Sequence, residues 1–410
     1  AANAWGAAQT FFLVNGTSVG NHAAIWSMCG PGDKVLLQRN AHKSVIAGLI
    51  MSGSEPVFLT PEYSTELQAA LSVTAESVER ALALHDGIRA VQITRPTYEG
   101  HCADVAAISK VCHAKGVSLI VDEAHGAHLA FGKGLTPPSA VSQGADIVVQ
   151  SNHKTMGALT QASMLHVCHN AVGVDPDRIQ SCLNLLQTSS PSYVLMSSLD
   201  AARAQVMADD GEAVSKIAVR SIAAGRRINA IPGVSVFGID NYGTTQDPTR
   251  LTVVVSQLGI SGFAAKDILY NEYKIAPELA SPNSVSFIVS TGNTVRDLNT
   301  LAASLEHLAT RCLKDNTVTN LSVPAPESAL TSTTEVPPRD VFASQTEWVS
   351  LPSAAGRISA DLICPYPPGI PVVMPGERVS AEQCKYVDEL RVMGCQITGL
   401  DECGKMSVLK

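Results

Sequence analysis

The sequence predicts an α/β fold: a mainly parallel sheet covered by helices on both faces, with a smaller α+β unit after it. Three observations carry this. Short apolar runs alternate with amphipathic helical stretches through residue 167. The apolar runs are continuous rather than alternating, as strands buried on both faces require. The chain has 410 residues, 45% hydrophobic and 16% charged, enough to bury a large core shared between two domains.

The elements follow in order. Residues 10–14 read as a strand, then the turn Asn15-Gly16-Thr17-Ser18 and a helix to about Cys29. Gly30-Pro31-Gly32-Asp33 is a turn before a strand at 34–38. A helix over 43–51 leads to a strand at 56–59, and a helix ending at 81–85 leads to a strand at 89–94. A helix over 105–115 precedes strands at 117–121, 145–150 and 164–167. Residues 181–230, rich in Ala, Leu, Met and Arg, read as a long helix bridging two lobes. Strands at 234–237 and 250–255 open the second unit. Residues 316–338 are rich in Ser, Thr, Pro and Val and read as a linker. The division is 1–230 (major domain), 231–315 (small α+β subdomain), 316–338 (linker) and 339–410 (C-terminal domain).

The net charge of −8 argues against a general nucleic-acid binder, while leaving room for a local pocket for a small anion. No apolar run approaches the roughly 18 residues of a spanning helix, so no membrane partner is expected. The ten cysteines include no C-x-x-C pair and read as buried free thiols, not as disulfides or a metal site. This implies a soluble protein of a reducing compartment, cytoplasmic or plastid. The chain starts at Ala1, and residues 1–8 read as the end of a helix already under way, with no visible targeting peptide.

Three motifs sit where ligands of open α/β sheets bind, beyond the carboxyl ends of strands. In Asn15-Gly16-Thr17-Ser18-Val19-Gly20 a glycine turn, two hydroxyls and a helix N-terminus make a phosphate cup or an ordinary capped turn. Val121-Asp122-Glu123-Ala124-His125-Gly126-Ala127-His128 contains the letters of a helicase box, but no Walker A loop accompanies it. Gln150-Ser151-Asn152-His153-Lys154-Thr155 places a lysine just after an apolar strand, where burial tunes an amine towards Schiff-base chemistry. Phosphate cup, strand-end Asp and then Ser-x-His-Lys is the order found in pyridoxal-phosphate enzymes of the aspartate-aminotransferase fold (fold type I). Such a cofactor needs an anion site, a carboxylate for its ring nitrogen and an amine for its aldehyde.

The runs FFLVNGTSVGN, RNAHKSV, PTYEG, VDEAHGAHLAFG, GADIVVQSNHKTMGALTQASMLHV and PYPPGIPVVMPGE resemble the bacterial-type ornithine/lysine/arginine decarboxylase family, from the first residues to about Gly399. The resemblance implies fold type I and a carboxy-lyase that decarboxylates a basic amino acid with pyridoxal 5'-phosphate, in polyamine or cadaverine-type metabolism. By position, Lys154 is the expected cofactor-binding lysine and Asp122 the partner of the pyridine nitrogen. Ala124 and His42 are expected on the two ring faces. Gly16, Thr17 and Ser18 are expected at the phosphate, with Ser151 and His153 as added donors. His125 is expected to tune the site, and Lys154 or a nearby histidine to donate the proton to Cα. His42 and His125 keep a structural alternative; His113, His128 and His166 are expected to be structural.

The resemblance also implies a homodimer or higher even homo-oligomer, with residues 187–193 the candidate to reach across. That segment keeps the alternative of a plain Ser/Pro turn. Glu377 is expected either to receive a cationic side chain or to be solvated. The chain is expected to resemble wingless members and to lack their N-terminal segment with its His-x-Pro-Gly-His-Lys-like stretch. Two alternatives remain. One is another fold type I enzyme, an aminotransferase or a lyase, with Arg250 or Arg357 clamping a carboxylate. The other is an inactive cofactor-binding homologue.

Overall fold

The computed structural model describes residues 1–315, 334–366 and 371–410. Most of the expected linker, and residues 367–370 of the PYPPGIP run, lie outside the described residues.

The major domain is a seven-stranded sheet. Its strands are β1 (Gln9–Leu13), β2 (Lys34–Gln38), β3 (Glu55–Leu59), β4 (Ile88–Thr94), β5 (Ser118–Asp122), β6 (Ile147–Gln150) and β7 (Ser163–Val167). They lie in the order β1-β7-β6-β5-β4-β2-β3, and β7 runs against both its neighbours while the others share one direction. Within each strand alternate residues feed different cores. Val35 and Leu37 face the core under α1 (Gly16–Met28) and α2 (Lys43–Ser52), whereas Leu36 faces the core under α3 (Ala75–Leu84) and α4 (Val105–Ala114). Ile147 and Val149 against Val148 repeat the division. Two buried faces per strand explain why the sequence shows unbroken apolar runs.

Close packing of α1 on this sheet rests on Gly20, where an added Cβ would lie 2.4 Å from Val149 Cγ1 and 2.9 Å from Leu13 Cδ1. Both neighbours are fully buried. Gly20→Ala is therefore expected to destabilise the protein by about 1–3 kcal/mol through overpacking, read as a lower urea midpoint. A midpoint at or above the wild-type value would show that the core yields at no cost.

Residues 181–230 do not form one bridging helix. They fall into α5 (Pro176–Leu186), α6 (Tyr193–Ala208) and α7 (Glu212–Asn229). The first break falls at Thr188–Ser192, where Pro191 lacks the N–H a continuing helix needs. The second is Asp209-Asp210-Gly211, with Gly211 at φ 73°.

The small unit is a four-stranded antiparallel sheet with its own core: β8 (Ser235–Val236), β9 (Arg250–Val254), β10 (Leu279–Ala280) and β11 (Ser284–Ile288), ordered β8-β9-β11-β10. A further core gathers Leu351, Ile363, Val373, Val387 and Val408. There β12 (Thr346–Ser350) pairs antiparallel with β13 (Lys405–Leu409). Nine of the ten cysteines are buried and Cys403 is exposed. Among the described residues no helix is long and apolar enough to cross a membrane.

Candidate active site

The carboxyl ends of β2, β4 and β5, with the starts of α1 and α2 and the turn after β6, surround one cavity. It is lined by Thr17, Gln38, Asn40, His42, Ala70, Thr94, Thr97, Tyr98, Glu99, Asp122, Ala124, His125 and Lys154. The three motifs thus meet. At the start of α1 Gly16 adopts φ +75° and its N–H donates to the Gln161 carbonyl at 2.9 Å, while Asn15 makes no side-chain cap, so the N–H groups that follow Gly16 in the first turn are the ones left to an anion. Thr17 Oγ1 lies 3.0 Å from Ser151 Oγ, which closes the cup from the lysine turn. Gly16, Ser18, Ser151 and His153 stand behind the lining, and His153 Nδ1 lies 3.1 Å from the Ala162 carbonyl.

Asp122 is the last residue of β5 and is 2% exposed. Its Oδ1 accepts from Ala124 N at 3.1 Å and its Oδ2 from Asn21 Nδ2 at 2.8 Å. Asn21 Nδ2 also donates to Ser44 Oγ at 2.9 Å, and that hydroxyl lies 2.8 Å from His42 Nδ1. Ser44 N donates to the same Nδ1 at 3.2 Å, because His42 caps α2. With two donors aimed at Nδ1, the proton of neutral His42 resides on Nε2. Burial lowers the His42 pKa, which Asp122 opposes and Lys154 and Lys43 reinforce, so the ring is neutral.

Lys154 stands in the turn after β6, its Nζ 3.1 Å from His125 Nε2. Burial, aided by Arg250 and opposed by Asp122 and Glu278, brings its pKa from 10.5 down to about 8. Burial likewise takes His125 well below the ordinary histidine value, with Lys154, Arg250, His42 and His128 adding to the effect. The Tyr98 ring lies 4.8 Å from the His125 ring, centroid to centroid.

Beneath the site, Glu123 takes four donors. These are Arg95 Nη1 at 2.7 Å, Ser139 Oγ at 2.8 Å, Ala140 N at 2.8 Å and Gln150 Nε2 at 2.7 Å. Burial pushes its carboxyl up and Arg95 opposes this; with every partner donating, the carboxylate is the form that fits. The relay continues from Gln150 Oε1 to His166 Nε2 at 3.1 Å, and from His166 Nδ1 to Thr10 Oγ1 at 2.8 Å. His166 is therefore structural, as expected. So is His113, 2.9 Å from Asp146 Oδ2. His128 ties the domains together, its Nε2 3.0 Å from both Asp247 Oδ2 and Thr249 Oγ1.

The structure differs from expectation at two acids and bases. Glu377 is neither solvated nor facing the cavity: it is 0% exposed and paired with buried Arg39. Arg250 is 1% exposed and directs Nη2 to His125 Nδ1 at 2.5 Å, so it is engaged inside the site. Sequence reasoning missed Asn21, Ser44, Tyr98 and Gln38. Thr17 and Asn21 are four apart and share a helix face, a signal that was available. Gln187 is bound within its own chain, its Oε1 accepting from Val14 N at 2.9 Å, while residues 188–190 are exposed.

A strand-end carboxylate, a softened lysine amine and an uncapped helix start at the rim of this sheet define a fold type I enzyme. The chain belongs to the Orn/Lys/Arg decarboxylase family: the model of the family's major domain matches residues 1–238 and that of its C-terminal domain matches residues 308–402. It is 37% identical over 412 residues to an arginine decarboxylase of Bacillus anthracis, spanning 98% of this chain and 81% of that one. It is 40% identical over 387 residues to an arginine decarboxylase of Bacillus cereus, spanning 92% and 82%. Among solved structures, lysine decarboxylase A from Pseudomonas aeruginosa superposes with a TM-score of 0.84 at 23% identity, covering 100% of this chain and 70% of that one. That likeness shows the shared fold.

Proposed function

We propose that this chain decarboxylates arginine, using pyridoxal 5'-phosphate held at Lys154. The observation that carries the reading is the convergence of Lys154, Asp122 and the Thr17 helix start on one cavity. The residues present fit the cofactor. Hydroxyls and free N–H groups suit its phosphate, a buried carboxylate suits a protonated ring nitrogen, and an amine with a pKa of about 8 suits an aldehyde. In the same cavity both polar atoms of the Gln38 amide, and Thr94 Oγ1, are buried without a hydrogen-bond partner, as in a wall that meets a polar ligand. The choice of arginine rests on the names of the closely matching relatives.

When bound, pyridoxal phosphate supplies an aldehyde for an amine and an electron-accepting ring for the bond that breaks. The chain's residues supply the rest. Thr17, Ser18 and Ser151, with the N–H groups that follow Gly16 in the first turn of α1, would hold the phosphate. Asp122, fixed by Asn21 and Ala124 N, would hold the proton on the ring nitrogen. His42 and Ala124, both in the cavity lining, would pack against the ring. Lys154 Nζ would be the amine that holds the aldehyde, and Nζ, or Nε2 of His125 3.1 Å from it, would be the group placed to give a proton to Cα. Domain limits of 1–230, 231–315 and 339–410, an even homo-oligomer and a reducing compartment complete the proposal. Separate cores, exposed residues 188–190 and mostly buried cysteines support them.

The test is to add pyridoxal phosphate, seek a visible absorption band, fix the adduct with borohydride and locate it by peptide mass. CO2 and the amine are then measured for arginine, lysine and ornithine. An adduct at Lys154 with turnover of arginine supports the proposal; a keto acid product overturns it in favour of an aminotransferase. The rate of capture has a pH signature. The neutral amine is the reactive form, so capture is expected to rise about tenfold per pH unit below about 8 and to level off above it. A flat profile between pH 6 and 9 would refute an amine with this pKa.

A further inference from the structure

We infer that Arg250 is a positioning residue that fixes the tautomer of His125 and thereby holds Lys154 as a proton acceptor. The role towards the aldehyde rests on the function proposed above; the tautomer does not. Arg250 opens β9 in the small unit, 125 residues from His125, and reaches across the domain junction to it. A guanidinium only donates, so His125 Nδ1, 2.5 Å from Nη2, must be the unprotonated nitrogen. The single proton of the neutral ring is then on Nε2. That N–H faces Lys154 Nζ at 3.1 Å, and a hydrogen bond there requires a lone pair on Nζ. An ammonium has none. The order Arg250 N–H to Nδ1, then Nε2–H to Nζ, is the one arrangement in which each contact has a donor and an acceptor.

The placement is costly and specific. A guanidinium that is 1% exposed is expensive to bury. Asp247, Glu278, Tyr98 and Glu99 offset its charge. Its side chain passes close over Gly100, where an added Cβ would lie 2.6 Å from Arg250 Cβ and 3.1 Å from its Cγ, so the PTYEG loop leaves room for this side chain. Thr252 Oγ1 and Gln246 Nε2, the latter at 2.7 Å, both donate to the Glu99 carbonyl and fix the same loop. Four other charged or titratable groups bear on the pair: Asp122 and Glu278 on Lys154, and His42 and His128 on His125. The carboxylates favour the ammonium; Arg250 favours the free amine by its charge and by the proton it directs to Nε2.

The experiment uses the full chain with 15N-labelled histidine and no added aldehyde, with the His125 signals assigned by their loss in His125→Gln. The expected spectrum has a pyridine-like Nδ1 and a protonated Nε2. A His125 protonated on Nδ1 overturns the inference without any Arg250 variant. Two variants then separate charge from tautomer. Arg250→Met removes both; a mixed tautomer is expected, with the pH midpoint for capture of pyridoxal phosphate by Lys154 moved up by about one unit. Arg250→Gln keeps an N–H donor for Nδ1, so it is expected to retain the tautomer and show a smaller shift. A folded Arg250→Met protein with both wild-type tautomer and midpoint also overturns the inference. An intact tautomer with no adduct at Lys154 at any pH overturns the parent function, and the role of Arg250 towards that amine with it.

Discussion

Lys154→Ala is expected to lose the visible band and the borohydride-stable bond to pyridoxal phosphate, and to lower turnover of arginine by about a thousandfold or more, equivalent to about 4 kcal/mol of barrier. The loss is of a nucleophile, not of the site. Thr17, Ser151 and Asp122 remain where they were, their contacts being with each other and with Asn21 and Ala124. The variant is therefore expected to keep measurable affinity for the phosphate-bearing ligand, detected by equilibrium dialysis. Lys154→Arg sharpens the point. It keeps a positive charge, but a guanidinium has no free amine at any working pH, so it should be as inactive as the alanine variant. If either protein retained near-normal turnover, or if peptide mapping placed the bond on another lysine, the roles given to this rim would have to be reassigned.

The sequence made the rim legible because its chemistry lies within short runs. Asp122 ends an apolar strand, Lys154 follows one, and Thr17 lies in the first turn of a helix after one, so three local patterns place three groups at one sheet edge. The sheet itself was readable for the same reason, its strands being apolar on both faces. What escaped notice is chemistry made by crossings. Asn21 and Ser44 are ordinary polar residues within two different helices. They become a link between Asp122 and His42 only because α1 and α2 pack side by side. Arg250 reaches His125 from another domain, and no spacing in the chain announces that. The long helix expected over 181–230 failed on local grounds, since Pro191 and the positive φ of Gly211 interrupt an otherwise helical composition.

Glu377 belongs to the crossings, and its loss is the largest expected effect on stability. It lies in the Pro-Gly-Glu run of the C-terminal unit, while Arg39 directly follows β2 of the major domain. The carboxylate takes Arg39 Nη1 on Oε1, and on Oε2 both Arg39 Nη2 at 2.7 Å and Met374 N at 2.8 Å. Arg39 Nη2 also donates to the Val372 carbonyl at 2.9 Å, and its guanidinium lies 4.8 Å from the Phe58 ring centroid. Both members are almost wholly buried, at 1% and 0% exposure. Removing one leaves an uncompensated charge in the interior. Glu377→Leu is therefore expected to destabilise the protein by about 3–5 kcal/mol, a large share of the roughly 5–15 kcal/mol that a folded chain commonly holds. The double variant Arg39→Met/Glu377→Leu removes both charges and is expected to recover much of that loss, because well-packed apolar groups replace buried pairs at little net cost. Denaturant midpoints of the four proteins in the cycle give the coupling directly. Losses that simply add would show that the pair is incidental. The pair also bears on the site, since Gln38 and Asn40, the neighbours of Arg39, line the cavity. An undocked C-terminal unit is thus expected to weaken cofactor capture although none of its described residues lines the cavity.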